Sequence, residues 1–314
     1  MMKAVLHYRA SPGFIARIAA HESERLAITV VDEFDDARFA AEMREAEVLL
    51  HVLKPVTAAM IEGAPRLRLI QKIGVGVNTI DLDAAKARRV AVANMPGTNS
   101  QAVAEMALLL MLAALRRMAY FDRATRAGQG WTPEPSAFDG VGEIAGRTVG
   151  LVGLGAVARR LLPALIGLGA RVLYTDLAPR EGPAEWRTLP ELLSESDVVS
   201  LHLPLTAESR HLIDARAFAL MKPGAVLVNT ARGELIDEAA LIDALRSGRL
   251  RAAGLDVFAL EPLVPESPFL RLDNVVLTPH IAWLTPETLE RSLGVALENC
   301  RRLAAGETLL NRVV

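Results

Sequence analysis

Three side chains in the second half of this 314-residue chain are of types that move a proton beside a bound carboxylate. They are Arg232 in Val228-Asn229-Thr230-Ala231-Arg232-Gly233, Glu261 before Pro262, and His280 in Thr278-Pro279-His280-Ile281-Ala282. Arginine presents a planar fork that holds a carboxylate through two parallel hydrogen bonds. Histidine gives a proton to a carbonyl oxygen, or takes it back from a hydroxyl, near neutral pH. A carboxylate on the other ring nitrogen fixes the tautomer and favours the protonated form. Singly, each residue has a plainer reading: a surface arginine, a loop Glu-Pro pair, a histidine satisfied within the fold. The ordered set carries the argument, because each member follows an apolar strand at its C-terminal end. In an open α/β sheet, ligands bind along that edge.

Those strands belong to a series that opens on a glycine turn. An apolar strand runs into Gly153-x-Gly155-x-x-Ala158 and then a helix, and Asp176 ends the next apolar strand. This is the dinucleotide-binding fingerprint. Gly153 permits the tight turn, Gly155 lets a pyrophosphate approach the backbone, and Ala158 lets the helix pack on the strand. The helix opens at Ala156 and Val157, where free N–H groups and a partial positive charge face the phosphates. A carboxylate at Asp176 takes hydrogen bonds from ribose hydroxyls and repels a 2′-phosphate, which favours NAD over NADP. Arg180, close by in sequence, pulls the other way. With NAD alongside, the three polar residues suit hydride transfer between C4 of the nicotinamide and C2 of a 2-hydroxy acid.

Composition sets the frame for these motifs. Half the residues, 51%, are hydrophobic and 23% are charged, enough for the cores of two ordinary domains. The formal net charge of −2 gives no general pull toward nucleic acid or anionic membrane. The one cysteine, Cys300, has no intrachain partner, which fits a reducing compartment. It reads as a small half-buried hydrophobe in a helix. Residues 2–7 alternate toward a strand and lack a signal-peptide layout. The longest apolar run, residues 106–115, is far short of the ~20 needed to span a bilayer. The expectation is a soluble, cytoplasmic protein without a metal site.

The first ninety-odd residues alternate strands (3–7, 27–31, 48–52, 69–72, 90–93) with helices (15–24, 37–46, 57–63, 83–89). That pattern predicts a parallel sheet with crossover helices. A single long helix is expected over 99–127, started by a capping box at Thr98-x-x-Gln101. A second series of strands follows at 148–152, 171–175, 198–202, 225–229, 253–257 and 275–277, and residues 286–305 read as a final helix.

With these pieces in place, the chain resembles the D-isomer-specific 2-hydroxyacid dehydrogenase family over nearly its whole length. The matching stretches are Lys72-Ile73-Gly74-Val75-Gly76-Val77-Asn78-Thr79-Ile80-Asp81, Asn94-Met95-Pro96-Gly97, Val103-Ala104-Glu105 and the fingerprint with Asp176. They continue with His202-Leu203-Pro204-Leu205-Thr206, Asn229-Thr230-Ala231-Arg232-Gly233, Gly254-Leu255-Asp256-Val257-Phe258, Glu261-Pro262 and Pro279-His280. The resemblance implies an α/β protein of two doubly wound parallel-sheet domains. A Rossmann NAD-binding domain, 99–284, would interrupt a flavodoxin-like substrate domain made of 1–98 and 285–314. Hinge closure between them would expel water.

The resemblance also implies roles. Arg232, Glu261 and His280 would be the catalytic set. The N–H groups around Val75 and Gly76 would share the substrate carboxylate with Arg232. Asp256 would meet the nicotinamide amide, and Leu203, Pro204 and Thr230 would line the cofactor groove. Trp283, where many members carry a small residue, reads as a wall that narrows the substrate pocket. It would favour a small 2-oxo acid of the glyoxylate or hydroxypyruvate type. Trp131 falls in a region that forms a homodimer in this family. Lys54 is a candidate for steering an anionic substrate, and His202 for a place near the adenosine. D-3-phosphoglycerate dehydrogenase, phosphite oxidation and an NAD-sensing corepressor-like module are the other readings the family allows.

Overall fold

In the computed structural model, which describes residues 1–314, the chain folds into two units, Met1–Asn99 with Thr285–Val314, and Ser100–Leu284. The first unit runs β1 (Met2–His7), α1 (Pro12–Ala19), β2 (Leu26–Val31), α2 (Asp36–Met43), β3 (Val48–His51), α3 (Ala58–Glu62), β4 (Leu69–Lys72), α4 (Leu82–Ala87) and β5 (Ala91–Ala93). Its sheet is parallel in the order β2-β1-β3-β4-β5, the flavodoxin-like winding. All four helices are capped locally. Ser11, Asp35, Thr57 and Asp81 accept hydrogen bonds from the N–H groups of Phe14, Arg38, Met60 and Ala84. Each cap satisfies a donor that the helix cannot, a contribution of about 1 kcal/mol. β3 and β4 are buried throughout, and each opens on apolar residues before ending on a polar one.

One row of this sheet is polar. His7, His51 and Lys72 stand in register at the C-terminal ends of β1, β3 and β4, and all three are buried. Burial, then the Lys54 charge, pushes His7 down to about 4. Burial, then Lys72, holds His51 well below the usual range. The His7 ring stacks on Phe39 at 3.9 Å. At the sheet's far edge the chain's last residues pair with β5. Val313 donates to the Val92 carbonyl at 2.7 Å, and Ala93 and Arg312 form an antiparallel bridge.

The second unit runs α5 (Ser100–Leu115), α6 (Met118–Arg126), β6 (Thr148–Val152), α7 (Ala156–Gly167), β7 (Arg171–Thr175), β8 (Glu185–Trp186), α8 (Leu189–Glu195), β9 (Val198–Leu201), α9 (Ala215–Leu220), β10 (Ala225–Asn229), α10 (Glu238–Arg246), β11 (Leu250–Leu255) and β12 (Val275–Leu277). The chain then returns to the first unit in α11 (Pro286–Ala305). The seven-stranded parallel sheet has the order β12-β11-β10-β9-β6-β7-β8. This is the Rossmann order with a seventh strand on one edge, and its winding reverses between β6 and β9. Leu110, Met111, Ala114 and Leu115 of α5 pack on Val149, Val226, Val228 and Ala252 of the sheet.

Three expectations need correction. The helix expected over 99–127 is two helices, because Arg117 takes a left-handed backbone, φ 51°, between α5 and α6. The capping box at Thr98 does not form. The Thr98 hydroxyl donates to the Met95 carbonyl at 3.1 Å, and the Gln101 amide turns along α5 to Glu105 at 2.8 Å. The first helix is shifted toward the N-terminus, since Ser11 caps it and Pro12 occupies its first position.

Candidate active site

The glycine turn sits at the switch point of the second sheet. Gly153 has φ +95°, and a Cβ built there would lie 2.9 Å from Leu203 Cδ2 and 3.1 Å from the His202 carbonyl oxygen. No side chain fits. A Cβ on Gly155, by contrast, meets nothing within 4 Å, so the space over the turn is open. Gly155 is the N-cap of α7, and no side chain caps that helix. The first-turn N–H groups, those of Ala156 and Val157 among them, therefore face a cradle with room for an anion. Asp176, just past β7, accepts from Leu154 N at 3.3 Å and from Leu177 N at 2.8 Å. Arg180 pairs with the same carboxylate at 3.4 Å. Around the turn, His202 Nε2 and Thr230 Oγ1 are buried without a hydrogen-bond partner. Burial pushes the His202 imidazole down to about 4, so it is neutral. An open helix N-terminus, an adjacent carboxylate and unpartnered polar atoms fit a dinucleotide. Leu203, Pro204 and Thr230 stand on the loops that follow β9 and β10 along the same sheet edge.

The three proton-handling candidates come from the loops after β10, β11 and β12. Of these, Glu261 and His280 meet directly, Oε2 to Nδ1 at 2.6 Å. The other carboxylate oxygen of Glu261 accepts from Phe258 N at 2.9 Å. Burial pushes the Glu261 carboxyl up. The His280 hydrogen bond and charge, the Phe258 N–H and the Arg232 charge outweigh it and hold the group below the ordinary range. A carboxylate accepting at Nδ1 leaves Nε2 as the nitrogen available for proton transfer. Arg232 donates to the Ala231 carbonyl at 2.6 Å, and burial lowers its guanidinium against the opposing charges of Glu261 and Glu234.

Two supports were not evident from spacing. Glu238, in the first turn of α10, accepts from Ala259 N at 2.8 Å and so holds the stretch that leads to Glu261. Burial, with Glu234 and Glu261 nearby, raises its carboxyl despite that hydrogen bond. An acidic residue beside the helix cap Asp237 reads from sequence only as a dipole partner. The second is Thr278, whose hydroxyl donates to Asp256 Oδ1 at 2.6 Å. Asp256 itself is completely buried, and Trp283 is 8% exposed with its indole N–H on the His280 carbonyl at 3.2 Å.

In the first unit, Val75 and Gly76 follow β4 in an exposed turn. The turn is tied by Met95 N to the Gly74 carbonyl at 2.8 Å and by the Asn94 amide to the Val75 carbonyl at 2.8 Å. Lys54, the candidate for steering an anion, is already engaged: its ammonium pairs with Asp36 and donates to the Glu33 carbonyl at 2.8 Å. Lys72 donates to the Val52 carbonyl.

Residues 108–282 match the family model for the D-isomer specific 2-hydroxyacid dehydrogenase NAD-binding domain. Glyoxylate reductase from Aeropyrum pernix is 40% identical over 284 residues, covering 86% of this chain and 84% of the relative. The chain belongs to the D-isomer specific 2-hydroxyacid dehydrogenase family. Its second unit thus carries the NAD-binding domain of that family. D-3-phosphoglycerate dehydrogenase from Mycobacterium leprae is 41% identical over 292 residues, 90% of this chain. The chain spans only about half, 54%, of that relative's length. Among solved structures, the TT0316 protein from Thermus thermophilus superposes with a TM-score of 0.89 at 35% identity, covering 100% of both chains. No helix in this dehydrogenase-family chain is long and apolar enough to cross a membrane.

Proposed function

We propose that this protein is an NAD(H)-dependent oxidoreductase interconverting a small 2-oxo acid and its D-2-hydroxy acid. The observation that carries the reading is the 2.6 Å hydrogen bond from His280 Nδ1 to Glu261, beside a charged Arg232, in a chain of this family. Bound NADH supplies the hydride. Arg232 holds the substrate carboxylate, Glu261 fixes the imidazole tautomer, and His280 Nε2 gives the proton to the C2 oxygen or takes it back. The Val75–Gly76 turn is the substrate-binding element of the first unit. That unit is the substrate domain and residues 99–284 the cofactor domain.

The substrate class is of the glyoxylate or hydroxypyruvate type. The lysines at the strand ends of the first unit, Lys54 and Lys72, are committed to protein partners, which disfavours a phosphorylated substrate such as 3-phosphohydroxypyruvate. The intact Glu261–His280 pair supports turnover over a sensing module without chemistry. The protein acts as a homodimer in the cytoplasm. Leu109 on α5 and Met118 on α6 are each 56% exposed and Trp131 is 93% exposed, apolar side chains that a second copy would cover. A single buried cysteine suits a reducing compartment.

The test is NADH oxidation with glyoxylate, hydroxypyruvate, pyruvate, phenylpyruvate and 3-phosphohydroxypyruvate, on the wild type and on His280→Gln. Turnover is expected with the small acids. The variant should lose about 10²-fold or more in kcat while binding NADH as before. Preference for the phosphorylated acid would favour phosphoglycerate dehydrogenase chemistry. Tight NADH binding with no turnover on any acid would favour the sensing module.

A further inference from the structure

His280 has a backbone conformation that L-residues rarely take: φ is +53°, in the left-handed region. Such a residue persists only where its surroundings over-determine it. Here they do. Asp256, at the C-terminal end of β11, is joined to the turn by four hydrogen bonds. Its carbonyl accepts from His280 N at 2.8 Å. Its Oδ1 accepts from the Thr278 hydroxyl at 2.6 Å and from Ile281 N at 3.0 Å, and its Oδ2 from Ala282 N at 2.9 Å. The indole N–H of Trp283 then holds the His280 carbonyl at 3.2 Å.

We infer that Asp256, Thr278 and Trp283 form a clamp whose work is to hold the His280 turn so that its imidazole reaches Glu261 on one side and substrate on the other. They are positioning residues. Asp256 is completely buried and both its oxygens accept from this turn, which leaves one lone pair of Oδ2 for the nicotinamide amide contact that the family resemblance implies. Trp283 acts through its N–H on the His280 carbonyl as well as through its bulk. Burial raises the Asp256 carboxyl, and the three donors of the turn and the His280 charge oppose that. The carboxylate form accepts every one of these bonds; a protonated or amide group in its place loses acceptor capacity. Displacing a reacting group by about 1 Å costs on the order of 10²-fold in rate, so loosening the turn must appear in kcat.

This inference rests on His280 as the acid–base group, and the experiment separates the two. Four variants are compared with wild type for kcat, KM, NADH affinity by fluorescence titration and the pH profile of kcat/KM: Thr278→Val, Thr278→Ser, Trp283→Phe and Asp256→Asn. Thr278→Val should lower kcat at least tenfold with KM and NADH affinity within twofold, and move the pH profile by about half a unit or more. Thr278→Ser, which keeps the hydroxyl, should restore most of the rate. Trp283→Phe, which keeps the ring and loses the donor, should lower kcat a few-fold. Asp256→Asn should lower it about 100-fold. If Asp256→Asn fails to fold, the Thr278 pair still decides. Wild-type rates in Thr278→Val while His280→Gln is dead would overturn the clamp and leave the acid–base reading standing. A loss carried wholly by NADH affinity would overturn it too, assigning these residues to the cofactor. Full turnover in His280→Gln would overturn the acid–base reading, and the clamp with it.

Discussion

At the scale of single residues, charge is spent where it changes a neighbour. Asp176 illustrates this. Its carboxylate is held by two backbone N–H groups and paired with Arg180 at 3.4 Å. Removing it does two things at once: it deletes the repulsion toward a 2′-phosphate and releases a guanidinium able to bind one. Asp176→Ala is expected to narrow the NADH-over-NADPH preference in kcat/KM by about 10-fold or more, since a charge-assisted hydrogen bond is worth roughly 1.5–3 kcal/mol. Side-by-side kinetics with the two cofactors checks it, and a wild type that already prefers NADPH would sink the argument. The fingerprint and strand-end residues were readable because each has a fixed offset from an apolar strand. The supports were not. Glu238 reaches the Ala259 N–H across 21 positions and Thr278 reaches Asp256 across 22, and no local spacing rule reports a contact at that distance. Lys54 shows the reverse: sequence shows a cation near a strand end, but only the structure shows Asp36 and the Glu33 carbonyl already holding it.

Elements were legible where burial was uniform. The buried parallel strands announce themselves as short apolar runs, and α11 was readable over its full length from its period, with Thr285 accepting from Thr288 N at its start. The break at Arg117 was not, because residues on both sides suit a helix and the interruption comes from the backbone alone. Among the glycines, the tightest packing against backbone is at Gly233. A Cβ built there would fall 1.9 Å from the Phe258 carbonyl carbon and 2.2 Å from Ala259 N. Backbone cannot yield as a side-chain tip does. Gly233→Ala should push away the stretch leading to Glu261. Expected are a loss of about 2 kcal/mol or more in stability and a fall in kcat beyond what the melting shift explains. Thermal melts and kinetics on the purified variant check both. A fully active, equally stable Gly233→Ala would show that the 258–261 stretch tolerates displacement.

At the scale of the whole molecule, the buried imidazoles set a response to acid. His7 titrates at about 4 in the folded chain, below the ordinary histidine value of 6.5. The neutral form is favoured in the fold, and the unfolded chain binds the extra proton first. The stabilisation is therefore complete above about pH 6.5 and is lost as pH falls toward 4. Discounted for solvent screening, His7 alone contributes on the order of 2 kcal/mol. His51 and His202 act in the same direction. Urea unfolding at pH 7 and at pH 4.5 should show a large drop in midpoint, and His7→Leu should make that drop smaller. An unchanged pH dependence in the variant would refute the assignment.

The pairing of Val313 with Val92 has a consequence for how the protein is made. The second unit is one uninterrupted stretch, while the first takes its edge partner and α11 from residues that follow it in the chain. During vectorial synthesis, the Ser100–Leu284 unit is complete while β5, paired with β4 on one side, still lacks its partner on the other. Chains truncated after residue 290 and released should therefore show protease resistance in the second unit and not in the first. Residues beyond 284 then return to the first unit, closing a Val313–Val92 contact that spans more than 200 positions, the kind of late, non-local step that limits folding rate.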